Sequence, residues 1–136
     1  TFSTILDVKT RRICTSGDIH SLFDPPTVEC LIKAGEKPDF SGLEFKRVEK
    51  RRVRPSFIDG LGHVNNLRYS ELAYDAMSPS ERESMDRLKR MDLWFLRELR
   101  LGDEFWMEKA ESETDLYLRG ISEGEDRPAF AVKLGF

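Results

Sequence analysis

The hydrophobic pattern of this chain changes once, from a helical period to a strand period, and then keeps the strand period to the end. Residues 64–77 repeat apolar side chains at steps of three and four, which is typical of a helix with one buried face. Residues 88–101, 105–110, 116–121 and 129–136 alternate instead, as strands do. A helix followed by a run of strands predicts an α+β domain, with a curved antiparallel sheet wrapped around a long central helix. The apolar helix positions are Val64, Leu67, Leu72, Ala73, Ala76 and Met77.

Capping residues predict where the helices begin. Asn65 or Asn66 can cap the start of the first helix, since asparagine accepts a hydrogen bond from a free amide there. Ser78, Pro79 and Glu81 supply an N-cap, a first-turn proline and a capping-box partner. They predict a second helix directly after the first.

The strand patterns differ in charge and in length. Residues 43–55 alternate but are rich in Arg, Lys and Glu, which predicts a long charged strand that ends at Pro55. Residues 116–121 and 129–136 predict a hairpin around the turn at 123–127. In the strand predicted at 88–101, one face carries Met91, Leu93, Phe95, Leu99 and Leu101, and the other carries Trp94, Leu96 and Glu98.

The first 42 residues follow a different pattern. A short strand-like run begins at Phe2, and residues 15–42 are punctuated by Gly and Pro with little periodicity. A connector of this length is unusual inside one domain, so it predicts a linker between two units. Because the first residue is Thr1, we expect a processed, trimmed or partial chain. The predicted boundary places residues 1–42 apart from a domain at 43–136.

Composition excludes several classes of function. A net charge of −3 indicates neither a nucleic-acid partner nor an anionic membrane. No apolar run is long enough to span a bilayer, and the first apolar stretch is too short for a signal peptide. Cys14 and Cys30 match no zinc spacing and are expected to be reduced thiols. Phosphate-loop and dinucleotide motifs are absent as well. We therefore expect a cytoplasmic protein without a metal or a cofactor.

Residues 59–69 read Asp-Gly-Leu-Gly-His-Val-Asn-Asn-Leu-Arg-Tyr and carry the chemistry of the chain. They place a carboxylate, a histidine and two asparagines where a turn enters a helix. Unpaired amides and a partial positive charge at a helix start would stabilise a carbonyl oxygen that gains negative charge. His63 lies where such an oxygen would arrive. The same residue types also serve as ordinary turn and cap residues, so a structural role remains open.

The order of these residues resembles the acyl-acyl carrier protein thioesterases of bacteria and plant plastids. That family's pattern has an aspartate, one residue, an asparagine, one residue, then His-Val-Asn-Asn and a tyrosine three further on. Leu-Arg-Glu-Leu-Arg-Leu-Gly-Asp at 96–103 resembles its second signature, a glutamate on a strand shortly before Gly and an acidic residue. The resemblance implies a hotdog fold and places residues 43–136 in the C-terminal half. Residues 1–42 would then hold the trailing strand and linker of a preceding hotdog half.

The resemblance also implies roles for individual positions. Asp59, His63 and Glu98 fall on the catalytic positions, with Glu98 as the base that activates water. The family's asparagine position is Leu61, which has no amide, and the cysteine position of plant members is Leu99. The residues expected to contact substrate are Leu61, Val64, Asn65 and Asn66, with the thioester carbonyl over the helix start at Val64–Asn65.

Partners and alternatives follow from the same reading. The resemblance implies acyl carrier protein as the partner, and the basic run Arg47–Arg54 could receive it or could be a solvated face. The unit is expected to pair with a second copy or with a second hotdog half. Glu98 could instead be a solvated residue paired with Arg97 or Arg100. A non-catalytic acyl-binding or dimer-forming half, an acyl-CoA thioesterase and a hydratase remain alternatives on this fold.

Overall fold

A computed structural model describes residues 37–136 of the chain. The strand predicted near the N-terminus and most of the predicted linker lie outside the described residues. Residues 37–45 contain a turn at Ser41 and Gly42 and no strand, and the first strand begins only at Lys46, three residues later than expected. The domain boundary at residue 43 stays a prediction.

The described elements follow the predicted order of strand, helices and four strands. A single 3₁₀ turn, Pro55–Phe57, precedes the first helix, and another, Ser84–Arg87, follows the second. The helices are α1 (Asn66–Asp75) and α2 (Pro79–Glu83). The strands are β1 (Lys46–Arg52), β2 (Arg90–Phe95), β3 (Glu104–Glu111), β4 (Asp115–Ile121) and β5 (Phe130–Gly135).

All five strands form one antiparallel sheet in the order β1-β3-β4-β5-β2. Strands β3, β4 and β5 are consecutive neighbours, whereas β1 and β2 lie at the two edges. Alternate residues of the three central strands point to the same side and carry its large apolar side chains, including Phe105, Leu118 and Phe130. The prediction of an α+β domain with an antiparallel sheet is confirmed.

Helix α1 covers the apolar side of the sheet. Its side chain cap is Asn65, whose carboxamide oxygen accepts the Leu67 amide at 2.9 Å. Tyr69, Leu72 and Ala73 are buried in one core with the sheet residues. The helical pattern predicts this for Leu72 and Ala73, whereas its prediction of a buried Leu67 is wrong, because that side chain is 73% exposed. The helix has ten residues and ends at Asp75, so the last two positions of the predicted pattern lie in the following turn. Among residues 37–136, no helix is long and apolar enough to cross a membrane.

The second helix begins with the predicted capping box. The Ser78 hydroxyl accepts the Glu81 amide, and the Glu81 carboxylate accepts the Ser78 amide. The other oxygen of Glu81 pairs with the Lys109 ammonium of β3 at 2.6 Å. A cap that was readable from local sequence therefore also ties α2 to the sheet.

Strand β2 is much shorter than the 88–101 pattern predicts. Its partner β5 begins at Phe130, and the pairing Phe95–Phe130 is the last of the ladder. Beyond it, the amides of Leu96 and Arg97 both donate to the Ala129 carbonyl, and the chain leaves the sheet. The prediction that Glu98 lies on a strand is therefore wrong, because no strand backbone remains for it to pair with.

The core packs closely against Gly120 of β4. Gly120 pairs with Phe130, and a Cβ added at Gly120 would lie 2.2 Å from Cε1 of that fully buried ring. We expect Gly120→Ala to lower the free energy of unfolding by about 1–3 kcal/mol through overpacking. Chemical denaturation measures this, with Gly60→Ala as the control, because its Cβ would meet nothing within 4 Å. Equal stabilities of the two variants would contradict the packing described.

Candidate active site

The loop between the 3₁₀ turn and α1 is closed by the carboxylate of Asp59. One oxygen of this carboxylate accepts the amides of Leu61 at 2.8 Å and of His63 at 3.3 Å. The Asp59 amide in turn donates to the His63 carbonyl at 2.9 Å. Gly62 has a φ of 82°, a conformation that glycine adopts without strain. This set of bonds presents the imidazole of His63 at the end of a tight turn.

A second segment, after β2, is tied to the histidine loop through Leu99. The Leu99 side chain is fully buried, and its carbonyl accepts the Val64 amide at 3.4 Å. Val64 directly follows His63, and Leu99 directly follows Glu98. One backbone hydrogen bond and one buried side chain thus hold together two segments that are distant in sequence.

This link brings His63 and Glu98 together. Nε2 of His63 lies 3.5 Å from Oε2 of Glu98, and their side chains are 26% and 51% exposed. An ion pair forms there when the imidazole is protonated, and a small movement gives a direct hydrogen bond. Both groups remain accessible to water and to a ligand.

His63 and Glu98 line a cleft of about 540 Å³ at the start of α1. Every predicted site residue lines this cleft: Asp59, Leu61, His63, Val64, Asn65, Asn66 and Glu98. Four further residues line it, none of which was predicted as a site residue: Tyr69, Phe95, Leu96 and Arg97. Among the described residues, no group of three or more His, Cys, Asp or Glu side chains is arranged to hold a metal.

Tyr69 is the buried polar residue of the cleft. Its ring packs against Phe130 at 4.7 Å and Phe95 at 5.4 Å between centroids, and only 4% of the residue is exposed. Burial raises the pKa of its hydroxyl, and a hydrogen bond from the Leu99 backbone amide opposes that rise. The phenol therefore stays neutral and rests against the segment that carries Glu98. Its place in the 59–69 motif was the one sequence signal for it.

Most amides at the helix start already have acceptors. The Val64 amide donates to Leu99, and the Asn65 amide donates to the Phe57 carbonyl at 2.8 Å. A carbonyl oxygen bound by these two amides, as the sequence suggests, would have to break both bonds. The Leu67 amide is taken by the Asn65 side chain. Asn66, the first residue of α1, has no intrahelical acceptor for its amide. The available donor is therefore one or two residues further along than expected.

Asp59 and Leu61 differ in the hydrogen bonds that their side chains can make in the cleft. The hydrogen bonds that Asp59 accepts come from the turn backbone, and the charged partner beside the imidazole is Glu98. The geometry thus favours the turn-holding role that the sequence left open for Asp59. Leu61 is 81% exposed, and its apolar side chain lies at the cleft without a hydrogen-bonding group.

Comparison with known proteins identifies a family and similar structures. The sequence model of one protein family, the acyl-ACP thioesterase C-terminal domain, matches residues 42–129, which is more than half of the chain. An acyl-ACP thioesterase structure from Bacteroides thetaiotaomicron has a TM-score of 0.70 at 24% identity, over 96% of this chain and 52% of that chain. A Staphylococcus aureus protein in complex with CoA has a TM-score of 0.52 at 20% identity, over 69% and 78%. Curated protein sequences give no significant match.

The five-stranded sheet around α1 and its structural neighbours define a hotdog fold of the thioesterase type. The chain belongs to the acyl-ACP thioesterase family, and the matched region is that family's C-terminal domain. The hotdog fold and the family that the sequence resembles are thus confirmed. The chain spans about half the length of the Bacteroides structure.

The role of Asp59 in the turn can be tested without an activity assay. Asp59→Ala removes the acceptor of two amides, so we expect faster hydrogen exchange at Leu61 and His63 and a loss of about 0.5–1.5 kcal/mol per hydrogen bond. Asp59→Asn keeps an acceptor oxygen and should retain most of the protection. NMR-detected exchange and denaturation measure both effects. Equal protection in the alanine variant and the unsubstituted chain would contradict this role.

Proposed function

We propose that this domain hydrolyses acyl-acyl carrier protein thioesters and releases free fatty acids. The observation that carries the proposal is the 3.5 Å approach of His63 Nε2 to Glu98 Oε2, in a cleft at the start of α1. The family match supports the thioester as the substrate, and its name supplies the carrier protein. The reaction needs a base, a group that polarises the substrate carbonyl, and access for water. Glu98, the start of α1 and the exposure of the His63–Glu98 pair are suited to these three needs.

The chemical step is attack of water on the thioester carbonyl. Glu98 accepts a proton from the water as the new C–O bond forms, and His63 orients the water or the carbonyl through its ring. Collapse of the tetrahedral intermediate breaks the C–S bond, and the proton passes from Glu98 to the departing thiolate. The products are a carboxylic acid and the carrier thiol, so atoms and charge balance without a cofactor.

The helix start stabilises the oxyanion. Asn66, the first residue of α1, lines the cleft, so its amide and the positive end of the helix dipole are the groups proposed to stabilise negative charge on the carbonyl oxygen. Side chains of Val64 and Asn65 line the wall beside it, while their amides hold the loop. Leu61 supplies an apolar contact where the family has an asparagine.

The rim of the cleft is suited to pairing with another hotdog domain. Four large apolar side chains at or near the cleft are strongly exposed: Leu61 (81%), Leu67 (73%), Phe95 (50%) and Leu96 (44%). Edge strand β2 ends beside them. A second copy of the chain, or a second hotdog half, would cover these side chains and complete an acyl pocket. The family match, and not this surface, is the basis on which we propose a cytoplasmic role in fatty-acid synthesis.

The basic run on β1 is a weaker docking site than its composition suggests. Arg47 pairs with Glu108 and Glu123, and Lys50 pairs with Glu104 at 2.8 Å. These carboxylates of the same sheet neutralise much of the run. Arg51 is likewise paired, with Glu49 and Asp75. Carrier-protein docking on this face would therefore depend on Arg52 and Arg54.

An acyl-CoA thioesterase and a non-catalytic half are the two competing functions. The Staphylococcus aureus structure holds CoA on the same fold, which is the observation that favours the first. The apolar Leu61, in place of an amide, favours the second. Parallel assays with acyl-CoA and acyl carrier protein thioesters separate the substrates, and a complete lack of hydrolysis supports the non-catalytic reading.

The pair at the centre of the proposal can be tested by single substitutions. We expect His63→Ala and Glu98→Gln each to lower kcat for thioester hydrolysis by about 10²–10⁴-fold, the usual worth of a general acid or base. Steady-state kinetics measures the loss, and circular dichroism verifies the fold. Glu113→Gln, at an exposed position in the β3–β4 turn, is the control. Full turnover by a folded Glu98→Gln variant would remove Glu98 from the mechanism.

Leu61 offers a test in the opposite direction. We expect Leu61→Asn to raise kcat by up to about 10²-fold, because an amide there can donate to the carbonyl or the water. Leu61→Ala is the matched control for loss of the apolar side chain. A gain shared by both variants would show that side-chain size, and not the amide, limits turnover.

A further inference from the structure

Arg97 stands where the candidate active site meets a second, larger cleft. This second cleft has a volume of about 920 Å³, and it shares Leu96 and Arg97 with the first. A long substrate whose thioester lies beside His63 can pass over this shared wall. The other residues that line the second cleft are Lys37, Pro38, Phe40, Arg119, Gly124, Glu125, Asp126, Arg127 and Pro128.

The guanidinium of Arg97 is held in place by an uncharged partner, a serine hydroxyl. Its Nη2 donates to the Ser122 hydroxyl at 2.7 Å, and its backbone amide donates to the Ala129 carbonyl at 2.9 Å. Among residues 37–136, no carboxylate lies within 4 Å of this guanidinium in a salt bridge. Arg119, in the same cleft, instead donates twice to Glu108. Arg97 thus keeps donors for an anion.

The expected substrates carry a suitable anion. Both acyl carrier protein and CoA attach the acyl group through a pantetheine arm that ends in a phosphate ester. A guanidinium binds such a phosphate with two parallel N–H donors. Resting on the function proposed above, we infer that Arg97 binds the phosphate of the pantetheine arm as the arm passes from the catalytic cleft into the second one.

The other charges of the second cleft determine how strongly Arg97 can favour a phosphate. Lys37 and Arg127 add positive charge, whereas Glu125 and Asp126 oppose an anion. Arg119 is already paired with Glu108. Because Arg97 is exposed and the surrounding charges nearly cancel, its contact contributes a several-fold preference, typical of a single solvated charged interaction.

The test compares thioesters with and without the phosphate. For Arg97→Gln, we expect the ratio of kcat/KM for acyl-CoA to that for acyl-pantetheine to fall by about two- to fivefold through KM, and the ratio for acyl carrier protein to fall equally. Arg97→Lys should recover part of it. Arg87→Gln is the matched control, because Arg87 is also exposed and also donates to a serine hydroxyl, Ser84, in another region. This control should leave both ratios unchanged.

Other outcomes overturn the inference. An equal loss with acyl-pantetheine would mean that Arg97 supports the neighbouring Glu98 and not a phosphate. A loss with acyl-CoA alone would indicate a contact with the nucleotide, and a loss with acyl carrier protein alone would indicate a contact with its protein surface. Unchanged ratios would show that Arg97 does not contact the arm.

A binding measurement keeps this inference separate from the proposed function. Calorimetric titration of the unsubstituted chain with phosphopantetheine and with pantetheine gives the ratio of the two dissociation constants. We expect Arg97→Gln to reduce the preference for phosphopantetheine by about the same two- to fivefold. Absence of hydrolysis by the chain would refute the proposed function alone, whereas the absence of any phosphate preference would refute the site at Arg97.

Discussion

The site depends on the hydrogen bond between the Val64 amide and the Leu99 carbonyl. On one side of this bond lies the turn that Asp59 closes and that presents His63. On the other side lies an irregular segment whose position is fixed because the Leu99 side chain is fully buried in the core. Glu98, next to that anchor, can therefore be half-exposed and still have a defined place.

The same construction explains how a small domain combines a rigid frame with reactive groups. The frame consists of fully buried side chains of β3, β4 and β5 packed on one face of α1. The candidate catalytic groups, His63 and Glu98, lie on loops at the helix start and after the end of the edge strand. Loops held by a rigid scaffold commonly carry function, since their side chains are free of the ladder and of the core.

Much of this fold was accessible from the sequence, because local rules and packing agree in the C-terminal part. The alternation in β5 and the capping box at Ser78 each predict the observed element. The end of β2 was not accessible, since it is decided by where β5 begins and not by the pattern of 88–101. The commitment of the Asn65 amide to Phe57 likewise depends on a turn geometry that no short motif encodes. Most residues that line the cleft belong to the motif and were predictable from it. The position of Arg97 between two clefts was not predictable, because it depends on how distant segments pack.

In the proposed mechanism His63 and Glu98 act as one catalytic unit, and a double-mutant cycle on thioester hydrolysis tests this most directly. If the two groups act together on one water, His63→Ala combined with Glu98→Gln should cost about as much in kcat as the more damaging single substitution, because the second change removes a partner that no longer functions. Losses that multiply, so that the double variant shows the product of the two single effects, would mean that the residues act independently and would contradict the central claim.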